Sequence, residues 1–244
     1  DKDWAHLTKQ AEKFDVKLTN VSDKYAAIAV QGPESKKILM TLAGGKQLTP
    51  ENVKNALNTL TMEGKPVRIA KTGYTGEPIG YELYCNSEDA RYFWDRLIEL
   101  GAKPTALGAR DTTRMEASLP LYGHEMGECE MGGEIQIYAV PLAKFAVSFA
   151  PEKGDFIGRE PLKKQFEAMK KIMNRDYSSI EDLLYRIQPI YLEGKGVLRK
   201  GFPIYCKDAW AEGKQIGYVT SGTMIPYYKT RGEGLETVFT EETG

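Results

Sequence analysis

Cysteine and histidine are scarce in this 244-residue chain: three cysteines, Cys85, Cys129 and Cys206, and two histidines, His6 and His124. The cysteines are far apart and odd in number, so they give neither a C-x-x-C pair nor a disulfide framework. With so few soft ligands no metal-site spacing emerges. An excess of one charge is also missing. Thirty-three basic residues stand against 34 acidic ones, a formal net charge of -1, so no global field favours nucleic acid or an anionic membrane. No apolar run approaches the ~20 residues that span a bilayer. The first residues carry neither a secretory signal nor an Arg/Ser-rich leader. Free cysteines of this kind behave as small hydrophobes, and a reducing cytoplasm is the expected setting.

What is present is an ordinary globular composition, 41% hydrophobic and 27% charged, enough for one large domain or two smaller ones. The chain opens at Asp1 without an initiator methionine and enters a helical pattern at once. It closes on the polar residues 239–244. Both ends are expected to be cuts through a longer protein.

Residues 2–14 carry Trp4, Leu7, Ala11 and Phe14 at spacings of three and four, an amphipathic helix. Residues 16–18 and 25–31 read as strands, the second apolar enough to be central. Gly32-Pro33 opens a helix over 34–42, because proline tolerates the first turn. A polar connection through Gly44-Gly45 and Pro50-Glu51-Asn52 leads to alternating strands at 67–71 and 81–85, joined by a glycine-rich turn. Ser87 is placed as the N-cap of the next helix, with Glu88 and Asp89 in its first turn. Strand, helix, strand, strand, helix is most of a split βαβ unit of ferredoxin-like type, making the first ~120 residues α+β.

Further on, residues 144–149 alternate as a strand and 163–173 form a basic helix. Short strands at 185–192, 203–206, 214–220 and 237–239, separated by glycine turns, point to a small β-barrel or sandwich. The expected division is an α+β region over 1–173, a polar linker over 174–183 and a β domain over 184–244.

The densest charge pattern is Leu107-Gly108-Ala109-Arg110-Asp111-Thr112-Thr113-Arg114-Met115-Glu116-Ala117. Arg110 and Arg114, four apart, share a helix face and repel each other unless an anion sits between them. Such a helix is either solvated on one side or holding a polar ligand. The turn from Gly73 to Gly80 has neither GxGxxG nor GxxxxGK[ST] spacing, so a tight hairpin is the plainer reading than a phosphate loop. Tyr74 within it is either rim packing or a ligand contact, since aromatic rings line small-molecule pockets.

Glu82 interrupts an apolar, aromatic strand. Its carboxylate is either on the solvent face of the sheet or buried and paired. Arg110 offers one partner. A fused pyrimidine bearing an amino group and a ring N–H offers another, through two parallel charge-assisted bonds. His124 has the titration range of a general base, yet no nucleophile motif lies beside it, and a surface loop role is simpler. The lysines at 163, 164, 170 and 171 read as a solvated face or a docking surface for an acidic partner.

Six motifs occur in register: Thr72-Gly73-Tyr74-Thr75-Gly76-Glu77, Gly80-Tyr81-Glu82-Leu83-Tyr84, Leu107-Gly108-Ala109-Arg110-Asp111, Leu121-Tyr122-Gly123, Phe156-Ile157-Gly158-Arg159-Glu160 and Gly217-Tyr218-Val219-Thr220-Ser221-Gly222-Thr223. Together they resemble the glycine-cleavage T-protein family, tetrahydrofolate-dependent aminomethyltransferases. The resemblance implies an α+β folate-binding core, a ferredoxin-like portion and a C-terminal β-barrel around a central channel. It implies that Glu82 hydrogen-bonds the pterin edge of tetrahydrofolate, that Arg110 lines the same cavity and that Tyr74 lies near it. The reaction it implies takes the aminomethyl group from the lipoyl arm of the H-protein, releases ammonia and passes the carbon to tetrahydrofolate.

Three departures accompany the likeness. The turn before Glu82 is one residue longer than the family pattern, with Pro78-Ile79 where an acid–glycine pair is common. Ser118-Leu119-Pro120 replaces a stretch that often carries an aromatic. The family's catalytic aspartate falls in a strand before Asp1, so no catalytic residue is assigned. A related folate-dependent demethylase and a non-catalytic folate-binding assembly protein remain alternatives.

Overall fold

The computed structural model describes residues 2–51, 53, 55–209, 211–223, 228–231 and 238–243. The chain separates into two compact units, Asp1–Thr105 and Ala106–Gly244.

The first unit begins with α1 (Lys2–Ala11), none of whose residues is buried. Trp4 and Leu7 on it stay exposed, as does Phe14 beyond it. Residues 16–18, expected as a strand, run as exposed coil. Three residues give too few ladder bonds to hold a strand without a core on one face. The sheet consists of β1 (Tyr25–Gln31), β2 (Leu57–Met62), β3 (Lys65–Ala70) and β4 (Gly80–Asn86), in the order β1-β4-β3-β2. Two helices, α2 (Ser35–Leu42) and α3 (Ala90–Glu99), complete the unit.

Both β1 and β3 run antiparallel to β4, which lies between them. They are therefore parallel to each other, the split βαβ arrangement read from the sequence. The surprise is β2, an added edge strand in what read as polar connection. Asn58, Thr59 and Thr61 hide its alternation, yet Leu60 and Met62 turn to the core side. Asn58 also donates from Nδ2 to the Leu48 carbonyl at 2.8 Å, tying the connection to the strand.

Period-two alternation decides which sheet face is packed. Val30, Val67, Ile69, Leu83 and Cys85 are buried and meet Leu39 and Leu42 of α2 with Phe93 and Leu97 of α3. The opposite face is left open. Ser87, expected as an N-cap, instead sits in a 3-10 turn (Ser87–Asp89) and donates to the Asp23 carbonyl at 2.6 Å. The helix proper begins one turn later.

Glu63 and Gly64 form the two-residue link from β2 to β3, both at positive φ (47° and 82°), the geometry of a type I′ hairpin turn. A glutamate in this conformation is held from outside. Arg96 donates to both of its carboxylate oxygens, at 2.8 and 2.9 Å, and Tyr92 donates at 2.7 Å. These bonds, Arg96 first, lower the Glu63 pKa to about 2. A carboxylate depressed in the folded state contributes stability above its ordinary value of 4.5, and loses it as pH falls towards about 2. Unfolding midpoints of wild type and Glu63→Gln should therefore differ at pH 6 and converge by about pH 2; a gap independent of pH would remove the ion pair from the account.

The second unit contains α4 (Leu107–Glu116), the short pair β5 (Gly127–Glu128) and β6 (Glu134–Ile135), and α5 (Arg159–Met173). Beyond these come β7 (Pro203–Tyr205) with β8 (Gln215–Tyr218), and β9 (Tyr228–Arg231) with β10 (Val238–Thr243). Its core gathers Tyr138, Ala139 and Ala143 against Ala168 and Met169 of α5.

Several expectations change here. Residues 144–149 are not a strand: Pro141 opens a 3-10 turn, Pro141–Phe145, that leaves Phe145 exposed, since its fixed φ suits a helical first turn. Residues 174–183 are not a detached linker, because Leu183 is buried in this core with Ile180 against it. Among the described residues, 185–192 form no ladder; Ile187 donates a backbone bond to Ala139 at 2.8 Å. The unit boundary accordingly falls between Thr105 and Ala106. Of the expected strand at 237–239, Thr237 lies outside the described residues. Among the described residues the C-terminal ladders are two-stranded pairs, and the architecture stands as mixed α+β.

Candidate functional site

In the first unit the candidate residues lie on and beside the open sheet face. Glu82 is half-buried at the middle of β4 and faces away from the helices. Its cross-strand neighbours are Ala29 on β1 and Ala70 on β3. Directly opposed side chains stand about 4.5–5.5 Å apart at Cβ, so two methyl groups leave the carboxylate standing clear between them. The next row along the same face holds Ala27, Tyr84 and Arg68. Tyr84 donates its hydroxyl to Glu82 Oε2 at 3.2 Å. Burial first, then the Glu82 charge, pushes the Tyr84 phenol up from its ordinary value. It remains a donor throughout the neutral range. One carboxylate oxygen is thus oriented from within the strand and the other is free to accept.

The turn that carries Tyr74 joins β3 to β4. Gln31, at the end of β1, donates from Nε2 to the carbonyls of Thr72 (3.2 Å) and Tyr81 (3.0 Å). Its Oε1 accepts from Thr75 Oγ1 at 3.2 Å. Gly32 adds a backbone bond to the Ile79 carbonyl at 2.9 Å. Tyr74 is half-buried within this braced turn. The sequence pattern did not single out Gln31. The available signal was a polar residue closing an apolar strand just ahead of Gly32-Pro33.

In the second unit, Arg110 is exposed on α4, while Arg114 one turn later is 2% exposed. The anions beside Arg114 come from the protein itself, while Arg110 takes the solvated reading. Arg114 donates from Nε to Asp111 at 2.7 Å and from one terminal nitrogen to Glu125 at 2.7 Å and the Leu119 carbonyl at 3.1 Å. Its other terminal nitrogen reaches Ser221 Oγ at 2.7 Å. Glu125 also accepts from the Leu121 N–H (3.0 Å) and Thr220 Oγ1 (2.8 Å). Burial pushes its carboxyl up, but these donors, a further bond from Ser221 and the Arg114 charge outweigh it, and the net shift is down. His124 shares Ser221 Oγ at 3.0 Å through Nδ1. Arg114 and His124 thus meet at one hydroxyl beside the Glu125 carboxylate. Lys200 donates to the Gly123 carbonyl at 2.9 Å and closes the same loop.

The structure therefore brings Tyr74 and Glu82 to one unit, where Gln31 and Tyr84 hold them, and places Arg110 on the first helix of the other. Among the described residues no cluster of histidine, cysteine and carboxylates could hold a metal ion, and no helix is long and apolar enough to cross a membrane. The three cysteines are buried and unbridged.

A family model described as the GCVT N-terminal domain matches residues 1–138, more than half of the chain and the segment that holds Tyr74, Glu82, Arg110 and Arg114. The chain belongs to this family. Among its curated relatives, the aminomethyltransferase of Staphylococcus carnosus is 37% identical over 240 residues, covering 96% of this chain and 57% of the relative. That of Thermosipho melanesiensis is 38% identical over 234 residues, covering 93% and 54%. The chain spans about half the length of the curated relatives it matches. A solved structure, the glycine cleavage system aminomethyltransferase T of Bartonella henselae, superimposes with a TM-score of 0.59 at 22% identity, covering 91% of this chain and 53% of that one. This last likeness is one of fold.

Proposed function

We propose that this chain is part of a tetrahydrofolate-dependent aminomethyltransferase of the glycine cleavage system. Its partner is the lipoylated H-protein, whose aminomethyl group supplies the one-carbon unit while ammonia leaves. The observation that carries the reading is Glu82, a carboxylate standing clear between Ala29 and Ala70 on the open face of a sheet in this family. An acceptor pair in a shallow, small-residue setting fits the amino and N–H edge of a pterin, and bonds of that type are strong and directional. Tetrahydrofolate, when bound, supplies the nitrogens that accept the carbon.

The chain's own residues bind and orient. Glu82 accepts from the heterocycle edge, Tyr84 steadies one of its oxygens, and Tyr74 borders the ring. No general acid or base is assigned within these residues. The finer architecture that goes with this reading is a ferredoxin-like portion followed by a small C-terminal β-barrel. The setting is the cytoplasm, where the three unbridged cysteines stay reduced.

A mixing experiment tests it. Full-length protein with tetrahydrofolate and aminomethyl-loaded H-protein should release ammonia and form methylene-tetrahydrofolate. Carbon transfer to tetrahydrofolate from another amine, with none from H-protein, would make the protein a demethylase. Folate binding without turnover on any donor would leave the assembly-protein reading.

A further inference from the structure

Gln31 sits opposite Gly80 in the β1–β4 register. Its carboxamide is threaded between the two arms of the 72–81 turn: Thr72 and Thr75, which it binds, bracket Tyr74, and Tyr81, which it also binds, precedes Glu82. Both donors of the amide and one acceptor position of its oxygen are used by this one turn. The fit is close on both sides. A Cβ on Gly73 would lie 1.8 Å from Gln31 Oε1, and one on Gly80 would lie 2.2 Å from it. Neither glycine adopts a left-handed φ, so what both supply is space for one side chain and not an unusual backbone.

We propose that Gln31 is a positioning residue of the ligand site: by clamping both arms of the turn it fixes where Tyr74 and Glu82 stand, and so sets the affinity for a reduced folate. The inference rests on the assignment of Tyr74 and Glu82 to folate made above. Gln31 itself touches no ligand. Its effect runs through the backbone carbonyls of Thr72 and Tyr81 and the hydroxyl of Thr75. Paired hydrogen bonds to a flat edge are lost steeply with misalignment, so a turn freed from its clamp loses affinity without losing any ligand-contacting group.

The test uses full-length protein with tetrahydrofolate as the probe, following equilibrium binding, the folate KM and the unfolding midpoint. Gln31→Ala and Gly73→Ala should each weaken binding by about tenfold, the scale of one or two hydrogen bonds. The loss should fall mainly on the folate KM. The double variant Gln31→Ala/Gly73→Ala should bind no worse than Gln31→Ala, because the added methyl enters the space the amide has left. Should Gln31→Ala fail to fold, Gly73→Ala still displaces the same amide and reports the same change. Glu82→Ala is the control for the underlying assignment. Affinity kept in Gln31→Ala but lost in Glu82→Ala would overturn the clamp alone. Affinity kept in both would overturn the folate assignment together with it. A fall in the unfolding midpoint with an unchanged folate KM would reduce Gln31 to a structural role and also overturn the proposal.

Discussion

Replacing Arg114 by alanine is expected to cost about 3–5 kcal/mol of stability, the loss associated with removing one partner of a buried ion pair. The guanidinium is 2% exposed and its bonds go to Asp111, Glu125, Leu119 and Ser221. Alanine would leave the Glu125 carboxylate, 6% exposed, without its cation. For a domain whose whole stability is about 5–15 kcal/mol, such a loss decides whether it folds. The sign of the pH dependence makes the prediction specific. In wild type the Glu125 carboxyl is held below its ordinary value, so it contributes stability above pH ~4.5 that is lost as pH falls. In Arg114→Ala burial acts unopposed by that cation and raises the Glu125 pKa. The variant's deficit should therefore shrink in acid, as the orphaned carboxylate takes up a proton. Replacing both partners with apolar residues, Arg114→Met with Glu125→Leu, should recover much of the loss, because no buried charge remains. Denaturant unfolding across pH 4 to 8 checks all three. A deficit under about 1 kcal/mol, the scale of an exposed pair, would mean that Arg114 is solvated after all.

Arg114 also marks the limit of what the chain discloses unaided. The spacing of Arg110 and Arg114 on one helix face left two readings, a solvated side or an anionic partner, and that choice was legible. What the local pattern could not say is which arginine receives the anion. Asp111 is one helical turn from Arg114, but Ser221 comes from 107 positions away, a contact only tertiary packing creates. Strands β1 and β4 were legible because apolar residues recur at every second position over a buried face. Strand β2 was not, since an edge strand needs only a few core contacts and tolerates threonine and asparagine elsewhere.

The C-terminal region misled in the opposite direction. Residues 144–149 and 185–192 carry strand-like alternation, yet packing around α5 uses those side chains without a ladder. Glu82 as a candidate was readable as an acid in an apolar strand. That it stands between two alanines depends on strand register, which no single strand encodes. Gly222 is a similar case within the Gly217-to-Thr223 motif. A Cβ there would come within 2.0 Å of the Leu198 carbonyl oxygen, so its conservation of space is owed to a backbone passing beside it, invisible from the motif itself.

The central claim is that the Glu82 carboxylate pairs with the amino and N–H edge of a reduced folate. Its most direct test is a calorimetric cycle on full-length protein: wild type and Glu82→Ala, each titrated with tetrahydrofolate and with its 2-desamino analogue. Glu82→Ala should weaken tetrahydrofolate binding by about 1.5–3 kcal/mol, the range for a hydrogen bond to a charged group. The analogue should lose a similar amount against wild type and almost nothing further against the variant, because the two changes delete the same interaction. Equal affinity of wild type and Glu82→Ala for tetrahydrofolate, or strictly additive losses around the cycle, would contradict the claim.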